Sequence, residues 1–221
     1  MRKFCGSASI GVLTSKANLE IPIIKDRVSL LVNGRTTYSD WMMKLLPEKS
    51  GYKNGTANFY DYGGVLTAKF SERHRLKIFG YISNDKFSFS TSDNYRYVNR
   101  NISAEWRSIL GENYTATISA GQDHYDYYNE ETKTPSMAAR LSFGIDQLWA
   151  KLHMRHRLTA LNTLSYGLSV QHYDVQAGTY EPVGEYSFIN YDKLQNDKAL
   201  ESALYIDYEH TLSEKLTVSA G

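Results

Sequence analysis

The sequence predicts an all-β protein, an antiparallel transmembrane β-barrel segment built from about ten long strands. Three observations predict this fold: long strand-like runs, tight turns that alternate with polar connectors, and side chains that alternate in polarity along each run. Strands of globular proteins usually have about 5–6 residues. Several runs here reach roughly 15 residues and cover about 50 Å, so they cross the apolar band of an outer-membrane barrel even when tilted.

We predict the strands as the runs between turn signals. They are expected at residues 19–24, 27–38, 58–70, 75–89, 95–109, 114–128, 136–154, 159–173, 199–211 and from 215 onwards. Tight turns are expected near positions 25, 72, 112, 156 and 213, with a long loop between each neighbouring pair, such as the connector 47–55. Outer-membrane barrels have this arrangement, because their periplasmic turns are short and their extracellular loops are longer.

The alternation of side chains predicts which residues share a face. We expect the apolar side chains to meet lipid, namely Val28, Leu30 and Val32; Leu76, Ile78 and Ile82; Ala116, Ile118 and Ala120; and Leu141, Phe143 and Ile145. Among the polar side chains that alternate with them, Arg35, Lys69, Lys77 and Arg140 are expected to face a water-filled lumen. A soluble antiparallel sheet with one wet face would share this pattern, but strand length and loop asymmetry favour the barrel.

The composition is compatible with a membrane barrel and excludes several other classes. With 25 basic and 24 acidic residues the net charge is +1, so we expect no nucleic-acid partner. The 18 tyrosines favour strands and suit the girdles at a membrane interface, although a Tyr-rich soluble sheet would share this excess. Cys5 has no second cysteine, so neither a disulfide nor a thiolate metal site is available.

Residues 1–7 contain two basic side chains but no apolar stretch of useful length after them. They do not resemble a signal peptide, and the same lack argues against a lipoprotein anchor at Cys5. An outer-membrane protein needs an export signal. We therefore expect the native N-terminus to lie upstream of this chain.

Four residues are candidate ligand-facing positions: His172, Asp174, Asp123 and Tyr125. His172 and Asp174 are two residues apart, so they share a strand face and could contact a ligand or a metal. Asp123 precedes His124, and a carboxylate beside an imidazole could also serve general-base chemistry. For the latter pair, ordinary polar chemistry near a strand end is the preferred interpretation.

No pattern for catalysis or for a cofactor stands out. A phosphate-binding glycine loop, a G-x-S-x-G elbow and zinc-ligand spacing are all absent from the sequence. His153 and His156, with arginines beside them, are expected to be solvated basic residues near a periplasmic turn. We therefore expect neither enzyme activity, nor a cofactor, nor a bound metal.

Five segments in order along the chain form a recognisable set. They are GVLTSKANLEIPIIKD at 11–26; GRTTY at 34–38; FYDY at 59–62 with KF at 69–70, GY at 80–81 and DKF at 85–87; LSYGL at 164–168 with HY at 172–173 and AG at 177–178; and ESALYID at 201–207 with LSEKLTVSAG at 212–221. This set resembles the barrel of TonB-dependent receptors of the Bacteroidetes type. Two positions depart from it, since Ile21 replaces a glycine and Ala177 replaces a common proline.

The resemblance implies a 22-stranded barrel in the outer membrane of a Gram-negative cell. Its N-terminal plug domain and the TonB complex would act with it to import a scarce ligand, such as an iron chelate, a corrinoid or an oligosaccharide. Residues 1–221 would form a partial barrel in contact with outer-membrane lipid, with the plug domain and the remaining strands absent. Such a fragment alone is not expected to transport.

Two other interpretations stay open at this point. One is a complete ten-stranded outer-membrane hydrolase that uses extracellular Asp and His residues. The other is a soluble, Tyr-rich β-sandwich that binds a ligand or a partner.

Overall fold

The computed structural model describes residues 3–50, 53 and 55–221. Residues 1, 2, 51, 52 and 54, which belong to the predicted N-terminus and the first long connector, lie outside the described part. The described residues form one antiparallel sheet of twelve strands. The strands are β1 (Cys5–Ile10), β2 (Thr14–Ile24), β3 (Val28–Thr37), β4 (Thr56–Lys69), β5 (His74–Ser88), β6 (Asp93–Ile109), β7 (Tyr114–Glu131), β8 (Ala139–Arg157), β9 (Asn162–Pro182), β10 (Asp192–Lys193), β11 (Asp197–Ser213) and β12 (Leu216–Ala220).

The strands follow one another across the sheet in chain order. The order runs from β1 to β9 and continues with β11 and β12, while the two-residue strand β10 pairs with β9. A short helix α1 (Asp40–Met43) and two 3-10 turns (Glu48–Ser50 and Pro135–Met137) lie in the loops at one end. Among the described residues, no helix is long and apolar enough to cross a membrane. The predicted antiparallel succession of long strands is confirmed.

The tight turns gather at one end of the sheet and are stabilised locally. At the β2–β3 turn Asp26 adopts a positive φ of 59°, and the amide of Arg27 donates to the carbonyl of Ile24 at 3.0 Å. At the β4–β5 turn the Ser71 hydroxyl accepts the amides of Arg73 and His74 at 3.1 and 3.2 Å. Hydroxyl–amide contacts of this kind reverse a chain within a few residues, which keeps these turns short.

Several strands are longer than the sequence predicted, whereas β8 keeps its predicted length at a position shifted by three residues. β6, β7, β8, β9 and β11 have 17, 18, 19, 21 and 17 residues. They are therefore about 55 to 70 Å long, well over what a roughly 25 Å apolar band requires. β9 continues from the predicted end at 173 to Pro182, which shortens the loop that was expected from 175 to 197. The loop between β5 and β6, at 89–92, is as short as the turns at the opposite end.

Among the residues that the structure describes, no second sheet packs over either face. Within the described residues only Val98, Ala138 and Ala139 are buried hydrophobic side chains, whereas large ones such as Ile118 and Leu204 are 55% and 84% exposed. A β-sandwich packs two sheets about 10 Å apart around a shared core, so these residues do not form the soluble sandwich considered above. β1 and β12 each pair with one neighbour, so the described sheet is an open arc and not a closed ten-stranded barrel.

Candidate functional site

Residues that pair across neighbouring strands form rows, and one row divides the sheet into two parts. The Ile102 row consists of Gly80, Ile102, Gln122, Leu148, His172 and Leu200. We call the part between this row and the tight turns, with the row included, the lower segment. The part between the row and the long loops is the upper segment.

One face of the lower segment is apolar, and we call it the outer face. It carries Leu76, Ile78, Trp106, Ile118, Ala120, Leu152, Leu168, Val170, Leu204 and Ile206. Along β7 this face runs from Tyr114 to Gln122, which corresponds to a height of about 20–25 Å for a strand tilted by roughly 40°. That height matches the apolar band of an outer-membrane barrel, so the lower segment has the dimensions of a membrane-spanning wall.

The opposite, inner face of the lower segment is polar. Lys77 lies 3.5 Å from Glu105, and Lys69 lies 2.6 Å from Glu72 at the adjacent turn. Arg35, farther up the same face, contacts Asp61 at 2.7 Å. The predicted orientation of Arg35, Lys69 and Lys77 away from the apolar face is therefore confirmed, and each of them neutralises a carboxylate.

The prediction for Arg140 is wrong. Arg140 lies on the outer face, where its guanidinium contacts Glu130 at 2.6 Å and Glu181 at 3.1 Å. The apolar side chains that alternate with it, which were expected to meet lipid, instead lie on the inner face: Leu141, Phe143 and Ile145. The physical reason is that this part of β8 lies in the upper segment, above the apolar rows, where no lipid dictates which face is apolar.

The inner face of the upper segment carries a group of aromatic rings, which we call the aromatic cluster. Its members are Phe87, Phe89, Tyr95, Tyr97, Tyr125, Tyr127 and Phe143. Phe87 stacks on Tyr95 with ring centroids 4.5 Å apart, and Tyr127 lies 5.0 Å from Tyr97 and 4.6 Å from Phe143. The cluster forms a continuous aromatic surface across four strands, β5 to β8, just below the long loops.

Tyr125, a predicted ligand-facing residue, belongs to this cluster. Its ring lies 6.2 Å from that of Phe143. Burial raises the pKa of Tyr125 and of Tyr97, and the neighbouring phenol groups add to the effect. Both hydroxyls are thus neutral at physiological pH and can donate a hydrogen bond to a ligand.

Asp123, another predicted residue, lies two residues before Tyr125 on β7 and therefore on the same face. Its carboxylate accepts hydrogen bonds from Asn101 Nδ2 and, at 2.6 Å, from Trp149 Nε1. Gly121 makes this possible, because a Cβ there would lie 2.7 Å from the Trp149 ring and 2.9 Å from the Ile102 carbonyl oxygen. A second set of hydrogen bonds lies beside those of Asp123 on the same face. Gln147 donates to Gln171 at 2.6 Å, and the Tyr173 hydroxyl donates to Gln171 at 3.2 Å.

His172 and Asp174 share a face, as predicted, but it is the outer face. His172 lies in the Ile102 row between Leu148 and Leu200. Asp174 lies two residues farther along β9 and contacts Lys198 at 3.3 Å. The structure therefore brings Asp123 and Tyr125 together on the inner face and separates them from the other two predicted residues.

His124 also lies on the outer face and does not pair with Asp123. Its Nδ1 lies 2.7 Å from Asp146 and its Nε2 lies 2.6 Å from Asp126, so both ring nitrogens are engaged by carboxylates. An imidazole held in this way has no free nitrogen to act as a general base. Within the described residues, no group of three or more His, Cys, Asp or Glu side chains is arranged to hold a metal ion.

The aromatic cluster is the part of the site that the sequence analysis missed. A usable signal was present, because Phe87 and Phe89, Tyr95 and Tyr97, and Tyr125 and Tyr127 are spaced two apart. Phe89 lies just past the end of β5, and the other five residues lie on the consecutive strands β5, β6 and β7. Such spacing puts both members of each pair on one face. Only the cross-strand register shows that all three pairs lie on the same face and meet.

No protein-family model matches the chain, and neither does a curated protein. Solved structures do match. The copper transporter OprC aligns with 97% of this chain and 36% of its own at a TM-score of 0.71 and 8% identity. The ferric preacinetobactin receptor BauA from Acinetobacter baumannii aligns with 99% of this chain and 41% of its own, at a TM-score of 0.64 and 8% identity.

The shared feature is the fold. This chain has the fold of part of a β-barrel wall. It spans about two fifths of the length of the two matched proteins. Both of those proteins are named as a transporter or a receptor.

Proposed function

We propose that this chain is part of the barrel wall of a TonB-dependent outer-membrane receptor that imports a scarce ligand. The observation that carries the proposal is the reversal of polarity at the Ile102 row. Below this row the outer face is apolar over the height of a membrane. Above it the outer face carries charged groups such as Arg96 and Asp146, and the inner face carries the aromatic cluster. A lipid-spanning wall with an aromatic surface above it, on the lumen side, suits capture of a ligand arriving from outside the cell.

The ligand-facing residues in this proposal are Asp123 and Tyr125, together with the aromatic cluster. Aromatic rings with neutral hydroxyls suit a ligand that has both flat apolar surface and hydrogen-bonding groups. An iron chelate, a corrinoid and an oligosaccharide all meet this description. His172 and Asp174 lie on the outer face, so their positions give no support to a role in ligand contact.

The proposal also includes partners. A plug domain would fill the lumen against the charged inner wall, and the TonB complex would supply energy for transport. The match of this chain to parts of a copper transporter and a ferric receptor supports an import role. The chain would not transport by itself, because its two unpaired sheet edges would leave backbone groups unsatisfied in lipid, at several kcal/mol each.

The test uses the protein as its source cell makes it. Uptake by whole cells would be measured with three probes: a ferric catechol complex, cyanocobalamin and maltoheptaose. We expect Tyr97→Ala with Tyr127→Ala to lower uptake of one probe about tenfold or more, because loss of a central aromatic contact typically costs about 2 kcal/mol. Tyr166→Ala, on the outer face of the lower segment, is the matched control and should leave uptake unchanged.

Two results would overturn the proposal. One is absence of the protein from the outer-membrane fraction of the source cell. The other is uptake of all three probes that does not depend on Tyr97 and Tyr127.

A further inference from the structure

A groove of about 410 Å³ lies on the outer face of the upper segment, on the opposite side of the wall from the aromatic cluster. Its lining includes Asn58, Tyr60, Asn84, Lys86, Arg96 and Tyr128. These side chains come from the four adjacent strands β4 to β7. The groove therefore opens on the face of the wall that points away from the lumen. Of the residues of the aromatic cluster, Tyr95 also lines it.

The height of the groove above the apolar rows limits what can occupy it. On β6, Arg96 lies six residues beyond Ile102, which places it about 15 Å above the top of the apolar face. The polar headgroup layer of a phospholipid leaflet adds only about 5–8 Å beyond the hydrocarbon. A phospholipid phosphate therefore does not reach Arg96, whereas several sugars attached to a lipid do.

The side chains in the groove are already held in place by one another. The Asn84 amide donates to the Tyr60 hydroxyl at 3.1 Å, and Arg96 Nε donates to the Asn84 carbonyl oxygen at 3.0 Å. The Arg96 guanidinium lies 5.5 Å from the centroid of the Tyr128 ring, and that of Arg140 lies 5.9 Å from it. A site ordered before the ligand arrives loses less conformational entropy on binding.

The chemistry of the groove fits a phosphorylated sugar. The amides and phenols offer the donors and acceptors that match sugar hydroxyls. Arg96 retains donors for a phosphate, and within the described residues Lys86 makes no ion pair or hydrogen bond. The one acidic lining residue, Glu130, is neutralised by Arg140 at 2.6 Å.

We propose that this groove binds the phosphorylated saccharide of lipopolysaccharide in the outer leaflet around the barrel. The inference rests on the proposed outer-membrane location, because that leaflet is where a lipid-linked saccharide stands beside the wall. Lys86 and Arg96 contact phosphate, and the asparagines and tyrosines contact sugar hydroxyls. The wall thus carries a second binding surface, for a membrane component and not for the imported ligand.

The experiment uses the protein purified in dodecylmaltoside from the outer membrane of its source cell. The probes are lipopolysaccharide with a phosphorylated core, the same material after chemical dephosphorylation, phosphatidylglycerol, and inorganic phosphate. We expect Lys86→Gln with Arg96→Gln to weaken binding of the first probe about tenfold or more, and to have little effect on the weaker binding of the other three. The matched control is Lys77→Gln with Arg107→Gln, which removes a lysine from β5 and an arginine from β6 on the inner face and should leave binding unchanged.

Several outcomes would overturn the inference. They are equal loss in both double variants, no loss in either, and inorganic phosphate or phosphatidylglycerol binding as tightly as lipopolysaccharide. If the double variant of Lys86 and Arg96 does not assemble, binding by the Lys86→Gln single variant tests the inference. Within the described residues, that substitution breaks no hydrogen bond and no ion pair. A protein that is absent from the outer membrane overturns the proposed function itself, whereas a membrane-located protein with groove-independent binding overturns only this inference.

Discussion

The lower and upper segments of the sheet use the same strands in opposite ways. In the lower segment of β7, Ile118 and Ala120 face outward and Thr117 and Ser119 face inward. In the upper segment of the same strand, the outward positions include His124 and Asp126, and the inward positions include Asp123, Tyr125 and Tyr127. The strand keeps its alternation throughout, but the face that carries the apolar side chains changes at the Ile102 row.

This difference shows which surroundings decide the polarity of a strand face. Along the lower segment the outer face must be apolar if it meets lipid, and the inner face can be charged if it meets water. Along the upper segment water is available outside, so charged groups can lie there. The inner face is then free to carry the aromatic cluster, which lipid contact does not require.

The largest effect is expected when a charge is placed on the apolar outer face of the lower segment, which tests whether this face meets lipid. Ile118 is 55% exposed and pairs with Trp106 and Leu152 in neighbouring strands. We expect Ile118→Lys to lower the free energy of unfolding in phospholipid vesicles by about 2–4 kcal/mol, the usual cost of a lysine at the membrane midplane. Thr117→Lys, one residue away on the inner face, should cost far less, and equal costs would show that the outer face does not meet lipid.

A second substitution tests the packing of the inner face. At Gly121 a Cβ would lie 2.7 Å from Ser103 Cβ and from the Trp149 ring, so Gly121→Val must displace Trp149 from Asp123. We expect a loss of about 1–3 kcal/mol in the free energy of unfolding, typical of overpacking, and a shift of the tryptophan fluorescence.

Gly80→Val is the matched control for that substitution. Gly80 lies on the outer face in the Ile102 row, and a Cβ there meets nothing within 4 Å. Valine also favours strands, so we expect no loss of stability. If both variants lose stability equally, the close approach of Trp149 to Gly121 is not what stabilises the inner face.

The fold class was predictable from the sequence because strand length and turn chemistry are local properties. The turns at Ser71 and Thr159 depend on hydroxyl contacts two or three residues away, and both were located to within a few residues. The strand β1 was missed because its sequence, CGSASI, is small and weakly patterned, and it is defined by pairing with β2. The upper ends of β8 and β9 were misplaced for a similar reason. These ends are defined by the pairing of the two strands with each other, up to Ala139 and Pro182.

The candidate site was predictable only in part. The alternation of side chains along a strand shows which residues share a face, but it does not show whether that face is the inner or the outer one. His172 and Asp174 were correctly placed on one face, yet nothing within β9 says whether that face is inner or outer. The same ambiguity produced the wrong orientation of Arg140, whose partners Glu130 and Glu181 lie on neighbouring strands. Register across the sheet supplies this information, and register depends on contacts between residues far apart in sequence.

The smallest expected effect is on the pH dependence of stability and concerns His124. On the outer face, His124 lies with Arg100 and Asp146 in the first row above the Ile102 row that carries charged side chains. The hydrogen bond to Asp146 contributes most to raising the pKa of His124 above its ordinary value of 6.5; burial opposes this rise, and Asp126 adds to it. Arg100 is the other charged side chain beside His124, in the same row on β6. Because the pKa is raised on folding, the stabilisation is fully present below pH 6.5 and is lost as the pH rises through the folded-state pKa.

The measurement is urea unfolding in vesicles between roughly pH 6 and pH 9, compared for the native protein and three variants. We expect His124→Gln to remove part of the fall in stability with rising pH. Asp146→Asn should reduce the fall more than Asp126→Asn, since the contact with Asp146 has the larger effect on the pKa. A pH dependence unchanged in all three variants would mean that the imidazole is not charged in the folded protein. The change from an apolar to a charged outer face would then rest on Asp146 and Arg100 in this row and not on His124.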